Sequence, residues 1–223
     1  MRHKSWLSLP IAPLRVEARV VRPGRSVELI EARLLTDADG EDVIRASAWR
    51  LRSARVEIPD GLASEAGPGL IGSSPSTLRP GFAPPGPEGA RPGSFPPTGH
   101  DVGYHTAMEY RFVRGDFAEL GPAVAWMRMR HSLVAGESPT PLQRVLVVAD
   151  SGNGVSATLD WSRYLFINVD LTVHLHRQLA GEWVCLDAIT IPEPSGVGIA
   201  DSAIYDERGP IGRAVQTLLV DER

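Results

Sequence analysis

A strict alternation of apolar and polar residues is the clearest pattern in the chain, and it occupies residues 167–176, INVDLTVHLH. A period of two places every apolar side chain on one face of a β-strand, so we expect a strand over 167–177. Weaker strand patterns occur at 104–115, 122–133, 182–191, 197–206 and 211–220. A short turn, DERGP, joins the last two strands and predicts a hairpin. The C-terminal half is therefore predicted to be a meander of antiparallel strands.

The stretch QRVLVVADSGNG, residues 143–154, has two interpretations. Its β-branched valines favour a buried strand, and the glycines after it fit the loose G-x-G-x-x-A pattern of a dinucleotide-binding turn. That turn needs a glycine directly at the end of the strand, whereas Asp150 and Ser151 intervene here. The following residues also lack a clear crossover helix. The dinucleotide-binding interpretation is therefore the weaker one.

Local capping signals favour a helix for the same stretch. A capping box spans Thr140–Gln143, and Pro141 occupies the first helical position. Apolar residues then recur at helical spacing from residue 142 to residue 149, and Gly152 and Gly154 predict a left-handed stop. We therefore expect a helix that places the carboxylate of Asp150 in its last turn, where the helix dipole disfavours negative charge.

The composition changes abruptly between residues 59 and 103. Ten of the nineteen prolines lie between residues 59 and 97, among glycine and serine, without a helical or alternating pattern. Proline at this density favours extended backbone and cannot donate to the hydrogen-bond ladder of a sheet. We therefore expect a linker at 59–103, either packed across the surface or disordered, between a partial domain at 1–58 and a C-terminal domain at 104–223.

An internal repeat relates the two ends of the chain. Residues 34–49, LLTDADGEDVIRASAW, resemble residues 203–217, AIYDERGPIGRAVQT, with an aspartate, a glycine and an Arg-Ala pair at an offset of 168 or 169. The flanking strand patterns also agree, so we expect a duplication. The strands of the first copy are then expected at about 14–22, 26–36 and 43–53.

The first copy lacks a counterpart of the helix on this expectation, and Met1–Leu9 stands where the alternating strand stands in the second copy. The half-sheet would then expose a long apolar surface beside an open edge, unless the sheet of the second copy continues through it, another subunit covers it or residues upstream of Met1 do. We therefore expect self-association as a homo-oligomer.

Charge and composition narrow the classes of function. The formal net charge is −4 and the 23 basic residues are scattered, so no nucleic-acid partner is expected. Cys185 is the only cysteine, which points to a reducing compartment and to a buried strand residue. His174 and His176 share a strand face, but no third ligand stands at a suitable spacing, so no metal is expected. No apolar run approaches the roughly 20 residues of a membrane span, and we expect a cytoplasmic protein.

One helix enclosed by a long antiparallel sheet, in two copies joined by a linker, resembles the double-hotdog acyl-CoA thioesterases of the type II class. In that family a helix-terminal Asp, a Thr or Ser that opens an alternating strand ending in HR, and a Gln in an A-x-x-Q context hold the attacking water. The matching residues are Asp150 in VVADSGNG, Asn168 in NVDLTVHLHR and Gln216 in RAVQTLLV. The resemblance covers residues 104–223 well and 14–52 more weakly, and it implies an α+β hotdog fold.

The resemblance implies hydrolysis of an acyl-CoA or a similar thioester without a cofactor. Asp150 would accept a proton from water, while the amides of Asn168 and Gln216 orient that water. Asn168 departs from the family pattern, because an amide replaces a hydroxyl. Ala48 stands at the position that matches Gln216 in the first copy, so at most one site per chain is expected. The alternative is a non-catalytic hotdog module that binds an acyl group or a protein partner.

Overall fold

The structure, a computed structural model, describes residues 12–54 and 84–223. The chain divides into two compact units, Met1–Pro59 and Asp60–Arg223. The strands described in the first unit are β1 (Leu14–Arg22), β2 (Val27–Thr36) and β3 (Asp42–Leu51). They form an antiparallel sheet in the order β1-β2-β3. All three lie close to the strands that the repeat predicted.

Within residues 84–223, the second unit has one large sheet and three α-helices. Its strands are β4 (Arg91–Gly93), β5 (Met108–Asp116), β6 (Glu119–Met129), β7 (Tyr164–Asn168), β8 (Thr172–Leu175), β9 (Val184–Pro192), β10 (Val197–Asp206) and β11 (Gly209–Glu222). Its helices are α1 (Tyr104–Ala107), α2 (Pro141–Ala149) and α3 (Gly152–Val155). The sheet has the order β4-β5-β6-β9-β10-β11-β7, with β8 also paired to β11. The predicted meander of antiparallel strands is therefore present.

The apolar core of the second unit lies between the sheet and α2. Val145, Val148 and Ala149 of α2 are fully buried, and they cluster with inward-facing residues of β5, β6, β9 and β10. Helix α3 extends this contact against β9 and β10. Packing the apolar face of the helix against the sheet removes that face from water, which stabilises the unit. The predicted α+β class, an antiparallel sheet around a central helix, is confirmed.

The alternating segment predicted as one strand over 167–177 is divided into β7 and β8, which both pair with β11. Between them, the Asp170 carboxylate accepts hydrogen bonds from Thr217 N over 2.7 Å and from Thr217 Oγ1 over 3.2 Å. Val169 N still donates to Thr217 O over 2.9 Å, but the Asp170 side chain then takes the place of a backbone carbonyl and interrupts the ladder. The period of two indicates strand structure correctly but does not reveal this break.

A second difference concerns the start of the strand predicted at 104–115. Residues Tyr104–Ala107 form α1, and β5 begins only at Met108. Thr106 accounts for this turn, because its Oγ1 accepts a hydrogen bond from Gly103 N over 3.1 Å and donates one to Gly103 O over 2.9 Å. Local bonds of this kind between a side chain and the backbone compete with a strand ladder.

Residues 84–93 lie within the linker predicted at 59–103, yet they pack as part of the sheet. β4 pairs with β5 at the edge of the sheet, where proline is tolerated. Pro85 O accepts a hydrogen bond from the indole of Trp126 over 2.7 Å, which anchors the preceding segment. This part of the chain therefore differs from the expected linker. Residues 55–83 lie outside the described residues.

The repeated segments form equivalent hairpins. Gly40 lies in the turn between β2 and β3 with φ 70°, and Gly209 lies in the turn between β10 and β11 with φ 121°. Both values favour glycine, because other residues are strained at positive φ. Each hairpin also shifts register just before its turn, between residues 34 and 35 and between residues 204 and 205. The shared turn and bulge support the duplication, while the proposed place of Met1–Leu9 lies outside the described residues.

Candidate active site

Helix α2 is held at its start by the predicted capping box. Thr140 Oγ1 accepts a hydrogen bond from Gln143 N over 3.2 Å, and Gln143 Oε1 accepts one from Thr140 N over 2.7 Å. Pro141 occupies the first helical position, where its missing N–H leaves no bond unmade. The helix interpretation is confirmed, and the helix ends at Asp150 as its C-cap. Its position against the core therefore determines where this carboxylate lies.

Helix α2 does not end in the left-handed conformation that the two glycines after it predicted. Neither Gly152 nor Gly154 has positive φ, and the backbone continues into α3 instead of a left-handed stop. At Gly152, a Cβ atom would lie only 2.8 Å from Ser202 Oγ and 2.9 Å from Gln216 Oε1. Glycine is required here because two side chains approach the backbone closely.

Gln216, on β11, clamps the junction between α2 and α3. Its Nε2 donates to the backbone oxygen of Asp150 over 3.0 Å, and its Oε1 accepts from Asn153 N over 3.0 Å. The residue is 1% exposed. A buried amide must pair both of its ends, so these two bonds hold the junction in one geometry. Gln216 thus reaches Asp150 through its backbone and not through its carboxylate.

Asn168 contacts the Asp150 carboxylate directly. Its Nδ2 donates to Asp150 Oδ1 over 2.7 Å, from the last residue of β7. The other oxygen, Oδ2, has no hydrogen-bond partner among the described residues, and Asp150 is exposed. The carboxylate is therefore oriented by one bond and keeps one oxygen accessible to water. The structure brings all three residues predicted from the sequence to the end of α2.

Tyr104 also contacts this junction, and it was not identified from the sequence. Tyr104 Oη donates to Val147 O over 2.8 Å and lies 2.6 Å from Ser151 Oγ. Burial raises the pKa of Tyr104 to about 12, with a smaller contribution in the same direction from the Asp150 carboxylate. The phenol is therefore neutral near pH 7 and acts as a hydrogen-bond donor to the end of α2. No sequence motif singles it out.

A cavity of about 160 Å³ lies beside the carboxylate. It opens next to Asp150, and aromatic rings from three separate segments form much of its wall. These rings belong to Phe95, Tyr104, Tyr110 and Phe117. An apolar cavity next to an accessible carboxylate suits a substrate that carries a hydrocarbon group next to a polar, reactive one.

The other candidates from the sequence lie outside this site. Within residues 12–54 and 84–223, no group of three or more His, Cys, Asp and Glu side chains is placed to hold a metal ion. Cys185 is fully buried, as predicted. A larger pocket of about 470 Å³, lined by residues 192–196 among others, contains none of the three site residues. In the described parts of the chain, no helix has the length and apolar character needed to span a membrane.

The comparison with protein families decides the assignment. A family model described as the acyl-CoA thioesterase C-terminal domain matches residues 87–220, which is more than half of the chain. The chain belongs to this acyl-CoA thioesterase family. The match contains α2, α3 and all of the cavity-lining residues. A sequence search of curated proteins finds no match.

Solved structures of thioesterases share the fold at low sequence identity. A candidate thioesterase II from Thermobifida fusca YX has a TM-score of 0.63 at 17% identity, over 93% of this chain and 72% of that chain. Acyl-CoA thioesterase II TesB2 from Mycobacterium marinum has a TM-score of 0.58 at 15% identity, over 93% of this chain and 73% of that chain. A hot dog fold protein from Alicyclobacillus acidocaldarius has a TM-score of 0.62 at 15% identity, over 92% and 72%. These likenesses confirm the hotdog fold.

Membership of the acyl-CoA thioesterase family confirms the family that the sequence motifs indicated. The family assignment makes the protein a thioester hydrolase in general terms. The geometry at Asp150 is the basis for a proposal on which residues carry out such a reaction.

Proposed function

We propose that the protein hydrolyses an acyl-CoA with a water that Asp150 activates, and that Asn168 and Gln216 support this carboxylate. The observation that carries the proposal is the 2.7 Å hydrogen bond from Asn168 Nδ2 to Asp150 Oδ1. It orients an exposed carboxylate at the mouth of an aromatic cavity. The second carboxylate oxygen is left to accept a hydrogen bond from water, which is the geometry that a general base needs.

The reaction proceeds in two steps. Asp150 accepts one proton from water while the water oxygen forms a bond to the thioester carbonyl carbon, and the carbonyl π electrons move to its oxygen. The C=O bond then re-forms as the C–S bond breaks, and the thiolate leaves with the bonding pair and takes the proton from Asp150. The products are a carboxylic acid and the free thiol of coenzyme A. The carboxylate is regenerated, so the cycle needs neither a covalent enzyme intermediate nor a cofactor.

Asn168 and Gln216 have different parts in this proposal. A side-chain amide nitrogen carries two N–H groups. Asn168 uses one of them for Asp150 and has the other for the attacking water. Gln216 is buried and binds the backbone on both sides of Ser151, so it acts as a positioning residue that fixes the carboxylate.

Hydrolysis of a panel of acyl-CoAs, followed with a thiol reagent, tests the proposal. Asp150→Asn keeps the shape of the side chain but removes the base, and it should lower kcat by about 10²- to 10⁴-fold. Asp160→Asn is an equally conservative change at an exposed position and should retain wild-type turnover. Equal turnover by the wild type and Asp150→Asn on every substrate would show that Asp150 is not the base.

A non-catalytic hotdog module that binds an acyl group is the second candidate. Asn168 favours it, because the resemblance expects a hydroxyl at this position. Tight binding of acyl-CoA without release of free thiol over hours would support the binding module and refute hydrolysis.

A further inference from the structure

The side chain of Tyr104 binds the C-terminal end of α2 from outside the helix. Its Oη donates a hydrogen bond to Val147 O over 2.8 Å. The last carbonyl groups of an α-helix lack donors within the helix. Ser151 N would complete the α-helical pattern at Val147 O, but it donates to Val148 O over 2.9 Å instead. Tyr104 therefore gives Val147 O a donor that the backbone does not provide there.

The same hydroxyl also binds the residue that follows Asp150. Tyr104 Oη lies 2.6 Å from Ser151 Oγ. A phenol has one hydrogen, which Val147 O accepts, so the Ser151 hydroxyl is the donor in this second bond. Burial, and to a smaller extent the Asp150 carboxylate, raises the pKa of Tyr104 to about 12. The hydroxyl therefore keeps its proton near pH 7, and both bonds persist there.

Two side chains from separate elements thus hold the chain around Asp150. Gln216, on β11, binds the backbone of Asp150 and of Asn153. Tyr104, on α1, binds the chain both before and after Asp150. Helix α1 is itself fixed, because the Thr106 side chain bonds its first turn and β5 follows it directly. The carboxylate therefore extends from a backbone that is fastened at four points.

We infer that Tyr104 is a positioning residue that holds the Asp150 carboxylate in its reactive place. The inference rests on the proposed function, which assigns the proton transfer to this carboxylate. Without the Tyr104 hydroxyl, Val147 O and the Ser151 hydroxyl both lose their partner, and the last turn of α2 is freer to fray. The carboxylate then spends less time in the orientation that Asn168 supports.

Tyr104→Phe tests the inference, because it removes the hydroxyl and keeps the ring that lines the cavity. Misplacement of a catalytic group slows the reaction, so kcat for acyl-CoA hydrolysis should fall by about ten- to a hundredfold. KM should stay within about twofold of the wild-type value, because the cavity wall is kept. Tyr164→Phe makes the same chemical change outside the cavity and should retain the wild-type kcat. An unchanged kcat in Tyr104→Phe would overturn the inference.

A double-mutant cycle with Asp150→Asn separates positioning from other roles of the hydroxyl. If Tyr104 acts through Asp150, its hydroxyl has nothing to position once the base is removed. The double variant should then hydrolyse acyl-CoA as fast as Asp150→Asn alone. A purely structural role, or direct contact of the hydroxyl with the substrate, would lower kcat by the same factor in both backgrounds, and that result would contradict positioning.

Hydrogen exchange of the Ser151 amide, measured by NMR, separates this inference from the proposed function. The exchange rate reports the order of the helix end without any turnover. It should rise about tenfold in Tyr104→Phe and stay unchanged in Tyr164→Phe. Equal rates in the wild type and Tyr104→Phe would overturn the inference and leave hydrolysis by Asp150 standing. Full turnover by Asp150→Asn would refute the proposed function, and the exchange rates would then decide alone whether Tyr104 holds the end of α2.

Discussion

The side-chain amide of Asn168 donates a hydrogen bond to the carboxylate of Asp150 over 2.7 Å. Asp150 follows α2, which is fixed by its capping box and its buried face, and Asn168 ends β7, where it pairs with Leu218 of β11. Both partners of the bond are therefore positioned by regular secondary structure. Groups held in this way keep their geometry better than groups on loops, which favours a pre-organised base.

Replacement of Asn168 tests how much this bond contributes to catalysis. Asn168→Ala removes the donor and lets the Asp150 carboxylate rotate, so kcat for acyl-CoA hydrolysis should fall by about ten- to a hundredfold. Asn168→Thr restores a donor of the kind that the resemblance expects, and it should recover part of that loss. Equal kcat values for the Ala and Thr variants would contradict the need for a donor at this position.

The close approach at Gly152 leads to a second prediction. Gly152→Ala places a methyl group against Ser202 Oγ and Gln216 Oε1, so it should lower the free energy of unfolding by about 1–3 kcal/mol. It should also reduce turnover, because Gln216 must move away from Asp150. Gly154→Ala is the matched control for stability, since a Cβ there meets nothing within 4 Å. Similar shifts in the urea midpoint for the two variants would rule out the packing explanation.

The parts of the fold that depend on residues close together in the sequence could be predicted. The capping box at Thr140 indicated α2, and the turn at Gly209 indicated the hairpin of β10 and β11. The break between β7 and β8 could not be predicted in this way. Asp170 meets its partner Thr217 only after two segments 47 residues apart in the chain have come together.

In the candidate site, too, the residues that lie in a local sequence motif could be predicted and the others could not. Motifs indicated Asp150, Asn168 and Gln216, because each has a recognisable sequence context. Tyr110 has none, since it meets the other rings of the cavity only in the folded sheet. The glycines were assigned the wrong role, because a pattern of glycine does not distinguish a left-handed stop from a close approach of side chains. Gly152 serves the second purpose.

Arg177 and Asp206 form an ion pair at the turn of the last hairpin. Two guanidinium nitrogens of Arg177 lie 2.5 and 2.6 Å from the two oxygens of Asp206, whose side chain is fully buried. Burial alone would raise the pKa of Asp206, but Arg177 and two backbone N–H groups hold it below its usual range. Arg177→Met leaves this charge without its main partner, so the free energy of unfolding should fall by about 3–5 kcal/mol.

A second substitution checks that the loss comes from an unpaired charge. Asp206→Asn on the Arg177→Met background removes the buried charge and still accepts one of the two backbone hydrogen bonds, since its amide nitrogen cannot accept the other. Urea unfolding at pH 7 should show the double variant to be more stable than Arg177→Met alone. If the double variant is equally unstable or worse, the loss arises from packing of the arginine side chain.

Asp187 provides the last prediction, which concerns pH. It lies on β9 between Leu186 and Ala188, which face α2, so its side chain points to the opposite side of the sheet. Burial raises the pKa of Asp187 to about 6, against the opposing effect of Arg114, whose Nη2 lies 3.1 Å from Oδ1. The carboxyl group of Asp187 therefore binds its proton more tightly in the folded protein than in the unfolded chain.

The sign of the effect on stability follows from that shift. Below about pH 3 the carboxyl is protonated in both the folded and unfolded states. As the pH rises to about 6, the unfolded chain releases a proton that the folded chain retains, so this group lowers the free energy of unfolding, by about 2–3 kcal/mol at pH 7. Asp187→Asn removes this loss and should be more stable than the wild type at pH 7. Urea unfolding at several pH values measures the difference, whose pH-dependent part should disappear near about pH 3. A variant that is less stable at pH 7 would show that the ionised pair with Arg114 stabilises the fold.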